Sequence, residues 1–268
     1  MFIRRVIFSV LLCISHTAFA QVVTVSTVAG NGEAGDADGT GASARFTNPF
    51  SLAFDGAGNL YVADGQNHRI RKITPLGVVS TLAGNGVAGY RDGAGVGAQF
   101  NQPRGVAVDG MGNVYVSDQL NNRVRKITPL GVVSTLAGSG DRGFVDGQGS
   151  SALFNWPHNL TLDRAGNIYV ADRNNHCIRK ITASGLVSTL AGGSRGYADG
   201  DVTTAKFTVP VGIAVDSIGN VYIAENNRIR KITPQGVVST LAGMEQSGRA
   251  DGMGTTASFS LPYGLCVD

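Results

Sequence analysis

The tetrad Thr-(Val/Leu)-Ala-Gly occurs five times in this chain, at Thr27–Gly30, Thr81–Gly84, Thr135–Gly138, Thr189–Gly192 and Thr240–Gly243, with spacings of 54, 54, 54 and 51 residues. A second marker keeps the same beat: Asp55, Asp109, Asp163, Asp216 and Asp268 are 54, 54, 53 and 52 residues apart. Self-similarity at a fixed period means that each unit is one supersecondary element, which buries its apolar faces only against its neighbours.

Each unit carries four short strand signals separated by turn residues. In the second unit these are Gly105–Asp109, Val114–Asp118, Arg123–Thr128 and Val132–Ala137, with Gly110–Asn113, Gln119–Asn122 and Pro129–Gly131 between them. Val, Ile, Tyr and Thr fill the strands, and Gly, Asn, Asp and Pro fill the connections. Side-chain parity adds a constraint. In Asn59–Asp64, Leu60 and Val62 point one way while Tyr61 and Ala63 point the other; in Val78–Ala83, Val78 and Leu82 oppose Val79 and Ala83. Sheets with two apolar faces must lie between other sheets. Four-stranded sheets stacked by repetition predict an all-β propeller, whose circular arrangement protects faces and edges.

The wording of the units carries a family resemblance. Pro-x-Gly-(Val/Ile)-Ala-Val-Asp, then Gly-Asn-(Val/Ile)-Tyr-Val-Ala-Asp, then Asn-x-Arg-Ile-Arg-Lys-Ile resembles the NHL repeat, and Pro103–Ile127 shows it nearly complete. The resemblance spans 21–268 in register and implies a β-propeller, usually six-bladed. The Gly/Asp-rich connection from Gly84 to Pro103 is similar to that of bacterial exported members. Repeat units fall at about 31–84, 85–138, 139–192, 193–243 and 244–268. The expectation is four complete blades, a lone outer strand at Val22–Ala29 and one inner strand at Tyr263–Asp268, as in a six-bladed ring cut short.

Residues 1–20 read as a secretory signal peptide. Arg4 and Arg5 precede the apolar run Val6–Ile14, and Ala18-Phe19-Ala20 offers a small-x-small cleavage site after Ala20. The run is too short to span a bilayer, which needs about 20 residues. The expected location is secreted or periplasmic, with no membrane span. Removing Arg4 and Arg5 leaves 20 basic residues of the original 22 against 19 acidic ones, a balance poorly suited to bulk phosphate binding. The two mature cysteines, Cys177 and Cys266, fall in non-adjacent units and read as small buried apolar groups without a disulfide.

Three recurring motifs suggest chemistry. The Asp-Gly pairs at 38–39, 92–93, 146–147, 199–200 and 251–252 read as turns in which Asp caps its own backbone. Asp36-x-Asp38-x-Thr40 faintly suggests calcium but lacks the closing bidentate Glu of an EF-hand. The basic strands Arg69–Lys72, Arg123–Lys126, Ile178–Lys180 and Arg228–Lys231 recur in every blade without interleaved aromatics, which argues against nucleic acid. Their first Arg is expected to pair with the Asp ending the preceding strand, Asp64 with Arg69 and Asp118 with Arg123; Cys177 replaces that Arg in the third unit and leaves Asp172 without a partner. His68 and His176 share one turn position, and His158 follows Pro157. NHL-type amidating lyases hold a metal through matched axial histidines, and gluconolactonase-like propellers use acidic and Asn ligands there. Neither set maps onto these residues, and no nucleophile elbow or phosphate loop is present. The sequence therefore assigns no catalytic residue, metal or cofactor.

The informative positions are those that vary inside the constant frame. After the recurring Pro stand Phe50, Arg104, His158, Val211 and Tyr263; before it stand Asn48, Gln102, Trp156, Val209 and Leu261. This stretch enters the innermost strand at the loop-rich face, where propellers usually bind. Phe50, Arg104, Trp156, His158 and Tyr263 are the candidate ligand-binding residues. The expected function is a non-catalytic binding scaffold for a protein, glycan or small ligand. The alternative is a metal-dependent lyase or lactonase with its site at the axis.

Overall fold

The computed structural model describes residues 25–268. The signal-peptide reading for 1–20 and residues 22–24 of the expected first strand lie outside them. Four antiparallel sheets follow one another along the chain. Blade 1 comprises β1 (Gly39–Thr40), β2 (Pro49–Phe54), β3 (Leu60–Asp64), β4 (Arg69–Ile73) and β5 (Val78–Ala83). Blade 2 comprises β6 (Gly93–Ala94), β7 (Pro103–Val108), β8 (Val114–Asp118), β9 (Arg123–Ile127) and β10 (Val132–Ala137). Blade 3 comprises β11 (Gly147–Gln148), β12 (Pro157–Leu162), β13 (Ile168–Asp172), β14 (Cys177–Ile181) and β15 (Leu186–Gly192). Blade 4 comprises β16 (Gly200–Asp201), β17 (Pro210–Val215), β18 (Val221–Glu225), β19 (Arg228–Ile232) and β20 (Val237–Gly243). Each blade is a meander of four strands, and a two-residue fifth strand from the preceding loop pairs with its outer edge, as in the order β1-β5-β4-β3-β2.

The innermost strands β2, β7, β12 and β17 lie side by side around an axis. Glycine is required where β7 meets β12. A Cβ on Gly105 would sit 2.8 Å from Asn159 Cα and from the His158 carbonyl oxygen. Blade 1 has Ser51 at the matching position; its hydroxyl contacts Asn159 Oδ1 at 3.3 Å and accepts from the Val106 amide at 3.4 Å.

Apolar layers fill the spaces between blades. Tyr61, Ala63, Ile70 and Ala83 of blade 1 pack on Phe100, Val106, Val116 and Ile127 of blade 2. Equivalent layers join blade 2 to blade 3 and blade 3 to blade 4. Phe100, Phe154 and Phe207, one per interface, are fully buried, each stabilising the stack by about 1.5–3 kcal/mol.

Each blade also encloses an arginine. Arg71, Arg125, Arg179 and Arg230 have no exposed side-chain surface. Arg71 reaches Asp64 at 2.8 Å and Asp38 at 2.6 Å; Arg125 reaches Asp118 at 2.7 Å and Asp92 at 2.6 Å; Arg179 reaches Asp172 at 2.9 Å and Asp146 at 2.6 Å. Arg230 pairs with Glu225 and, at 2.7 Å, with Asp199. Aromatic rings flank the guanidinium, as Tyr90 and Phe100 do for Arg125 at 4.9 and 5.1 Å. In blades 1–4 the Asp of the Asp-Gly pair, instead of capping its own backbone, thus fastens the long loop to its blade, and it also accepts from the strand, as Asp92 does from the Thr135 amide at 3.1 Å.

Four further sequence expectations change here. The buried carboxylate pairs with the second Arg of the basic strand, not the first, because the long loop brings a further carboxylate to that second Arg, as Asp38 to Arg71. Asp172 consequently has a partner, Arg179, despite Cys177. Cys266 is exposed, while Cys177 is buried as expected, and both are free thiols. Neither Val25–Ala29 nor Tyr263–Asp268 forms a strand, because no described strand supplies a ladder to either. Both segments still occupy repeat positions: the Gly30 amide donates to the Gly41 carbonyl at 3.0 Å, as Gly84 does to Gly95 at 3.1 Å, and the Tyr263 carbonyl lies against Gly212.

Candidate functional site

At one end of the axis, Pro49, Phe50, Arg104, Gln119, Trp156, His158, Arg173 and Tyr263 line a cavity of about 380 Å³. All five residues picked out as a ring of varying positions therefore meet around one space. A second cavity of about 170 Å³ adjoins it through Arg173 and Tyr263 and includes Val211 and Leu261. Below the mouth, the inner strands enclose an axial channel of about 390 Å³ that Cys266 also lines.

Local backbone geometry aims these side chains. Gln102, Trp156 and Leu261, each before the recurring Pro, adopt left-handed conformations with φ of 52°, 58° and 50°. Each is fastened by the preceding blade: the Gln102 amide donates to His68 Nδ1 at 3.1 Å, the Trp156 amide to Asn122 Oδ1 at 3.0 Å, and the Leu261 amide to Asn227 Oδ1 at 3.3 Å. The sharp turn leads through the Pro, and the residue after it (Arg104, His158 or Tyr263) lines the mouth. His68 thus serves the turn, and His176 holds the same left-handed turn position in blade 3.

Arg104 stacks on Phe50, its guanidinium carbon 3.3 Å from the ring centroid. Its Nε donates to Gln119 Oε1 at 2.9 Å and one Nη to Gln102 Oε1 at 3.4 Å. Arg173 Nη1 donates to Asn174 Oδ1 at 3.3 Å, and its guanidinium lies 5.9 Å from the Trp156 ring. No carboxylate lines the cavity, and neither arginine has an acidic partner among the described residues.

His158 is 8% exposed. Its Nδ1 lies 3.1 Å from the Val211 carbonyl oxygen, which only accepts, so Nδ1 carries the proton and Nε2 a lone pair. Burial, then the charges of Arg104 and Arg173, push its pKa down to about 4. The ring is therefore neutral at pH 7, tilted against Tyr263 at 5.8 Å between centroids. Among the described residues, no group of three or more His, Cys, Asp or Glu is arranged to hold a metal. The carboxylates of Asp36 and Asp38 are taken by Arg69 and Arg71.

Gln119 and Arg173 were not among the residues chosen from sequence. Both open the three-residue 3-10 turn after the second main strand, where blade 1 has Gly65. Their signal was the same as that of the chosen five: variation at a fixed repeat position.

Stacked four-stranded meanders with a mouth cavity define the class as a β-propeller. The NHL repeat model matches residues 100–127 and 154–181, and the Teneurin NHL domain model matches 195–262. The chain belongs to the NHL-repeat β-propeller family. It is 29% identical over 287 residues to NHL repeat-containing protein 2 of Gallus gallus, covering 89% of this chain and 38% of that protein. The first curated relatives are far longer, and the chain spans between 8% and 38% of their length. An auxiliary nutrient binding protein from Bacteroides ovatus superposes with a TM-score of 0.60 at 17% identity, over 83% of this chain and 55% of that one. A gluconolactonase from Xanthomonas campestris superposes with a TM-score of 0.56 at 15% identity, over 83% and 67%. At these identities the likeness is one of fold. Among the described residues, no helix is long and apolar enough to cross a membrane.

Proposed function

We propose that this chain is an exported, non-catalytic binding scaffold that receives its ligand in the mouth of the propeller. The observation that carries this reading is the convergence of the varying side chains of blades 1–3, together with Tyr263, on one cavity. The rest of each repeat is committed to packing and to the buried arginine clasps. Those clasps also leave the basic strands unsuited to phosphate, since each buried Arg already holds two carboxylates. The nutrient-binding name of the Bacteroides ovatus propeller accords with this use of the fold. N-terminal sequencing of the secreted protein tests the export reading, with cleavage after Ala20 as the expected result.

Trp156 is the sole tryptophan, so intrinsic fluorescence reports on the mouth without a label. A titration of the protein with a panel of neutral and acidic sugars and short peptides is expected to give a saturable change with at least one of them, abolished in Trp156→Phe and weakened in Tyr263→Ala as read by calorimetry. No binding from the whole panel contradicts the reading.

One observation favours a second reading, an enzyme of the lactonase or lyase kind: the neutral His158 presents an imidazole at the mouth. Metal analysis of untagged protein separates the two, since the enzyme requires stoichiometric metal.

A further inference from the structure

We infer that the mouth selects a ring-bearing anion, a sugar-like or aromatic ring carrying a carboxylate or sulfate. The inference rests on the mouth being the binding site. Its basis is a contrast within the molecule. Arg71, Arg125, Arg179 and Arg230, the four fully buried arginines, each hold two carboxylates. Arg104 and Arg173, only partly exposed, hold none and bond only to the amide oxygens of Gln119, Gln102 and Asn174. Confining two guanidiniums to one cavity without a counter-charge is unfavourable, and an anion from outside removes that cost by charge-assisted hydrogen bonds.

The chemistry of the remaining wall fits. Gln119, only 3% exposed, fixes the Arg104 guanidinium through Nε, and Phe50 supports its face. That leaves Arg104 Nη1 without a protein partner among the described residues. His158 is held neutral with its Nε2 as an acceptor, suited to a ligand hydroxyl. Trp156 and Tyr263 supply flat apolar surface for the face of a ring. Arg142 lies 5.6 Å from the Trp156 ring, a third guanidinium beside that wall residue.

The test uses Trp156 fluorescence with four probes: D-glucuronate, glucose 6-sulfate, D-glucose and acetate. One or both charged sugars are expected to bind at least about tenfold more tightly than glucose or acetate, and which of the two binds distinguishes carboxylate from sulfate. Arg104→Gln and Arg173→Gln are each expected to weaken that binding at least about tenfold with unchanged melting. Should either variant fail to fold, a sodium chloride titration of the unaltered protein decides: weakening with salt supports the inference, and salt-independent binding overturns it. Glucose or another neutral ligand binding as tightly as the charged sugars overturns the inference and leaves the mouth as the site. Silence from every neutral and acidic probe overturns both.

Discussion

Arg125 Nη1 lies 2.7 Å from Asp118 Oδ2, and neither side chain has any exposed surface. The same pairing recurs at Arg71–Asp64 and Arg179–Asp172, and with Glu225 in place of Asp at Arg230. Burial pushes the Asp118 carboxyl up to about 6, with Arg125 and the Asn101 amide pulling the other way. The pair is held because Arg125 is the main compensation for the water Asp118 has lost, while Arg125 itself is shared with Asp92.

Removing one partner should therefore cost more than removing both. Arg125→Met is expected to lower stability by about 3–5 kcal/mol in urea unfolding, by stranding Asp118 in the interior. Adding Asp118→Asn to that variant should recover part of the loss. Equal losses for the single and double variants would count against the clasp.

His158 gives a pH dependence whose sign is fixed. Its pKa is near 6.5 when exposed and about 4 in the fold. Between those values the unfolded chain binds the proton and the native chain does not. The stability contribution is complete above pH 6.5 and is lost as pH falls toward 4, by roughly 3 kcal/mol at most. Urea midpoints at pH 7 and 4.5 should fall less in His158→Gln than in the unaltered protein.

Leu261 is 58% exposed and sits at φ 50°, a conformation costing about 1–2 kcal/mol for most residues. Leu261→Asn should raise the melting temperature, since Asn tolerates the left-handed region and the amide keeps its bond to Asn227. A lower melting temperature would show that Leu261 contributes more by packing than it costs in strain.

Gly105→Ala tests the axis. The added methyl meets Asn159 Cα and the His158 carbonyl at 2.8 Å, and both are backbone, so the inner strands must separate. A loss of about 1–3 kcal/mol is expected, with a shifted Trp156 emission because His158 and Trp156 share that strand entry. Wild-type stability and emission would refute the close approach.

The sequence exposed the blades because packing between sheets demands the same apolar pattern on both faces at every repeat. It exposed the mouth residues because they break that sameness. It did not distinguish Arg71 from Arg69: both lie on the same face of β4, and Asp64 is directly opposite Arg69 in the register. Only the closure of the long loop, which brings Asp38 to Arg71, decides between them. The two-residue strands such as Gly93–Ala94 are too short to carry any pattern. Gln119 and Arg173 stayed hidden inside a turn, where polar residues are expected without further purpose.

Differential quenching of Trp156 fluorescence tests most directly whether the mouth is a positively charged cavity walled by that ring. Iodide should quench more efficiently than caesium at equal ionic strength, and Arg104→Gln combined with Arg173→Gln should close the gap. Equal quenching by the two ions in the unaltered protein would contradict the account.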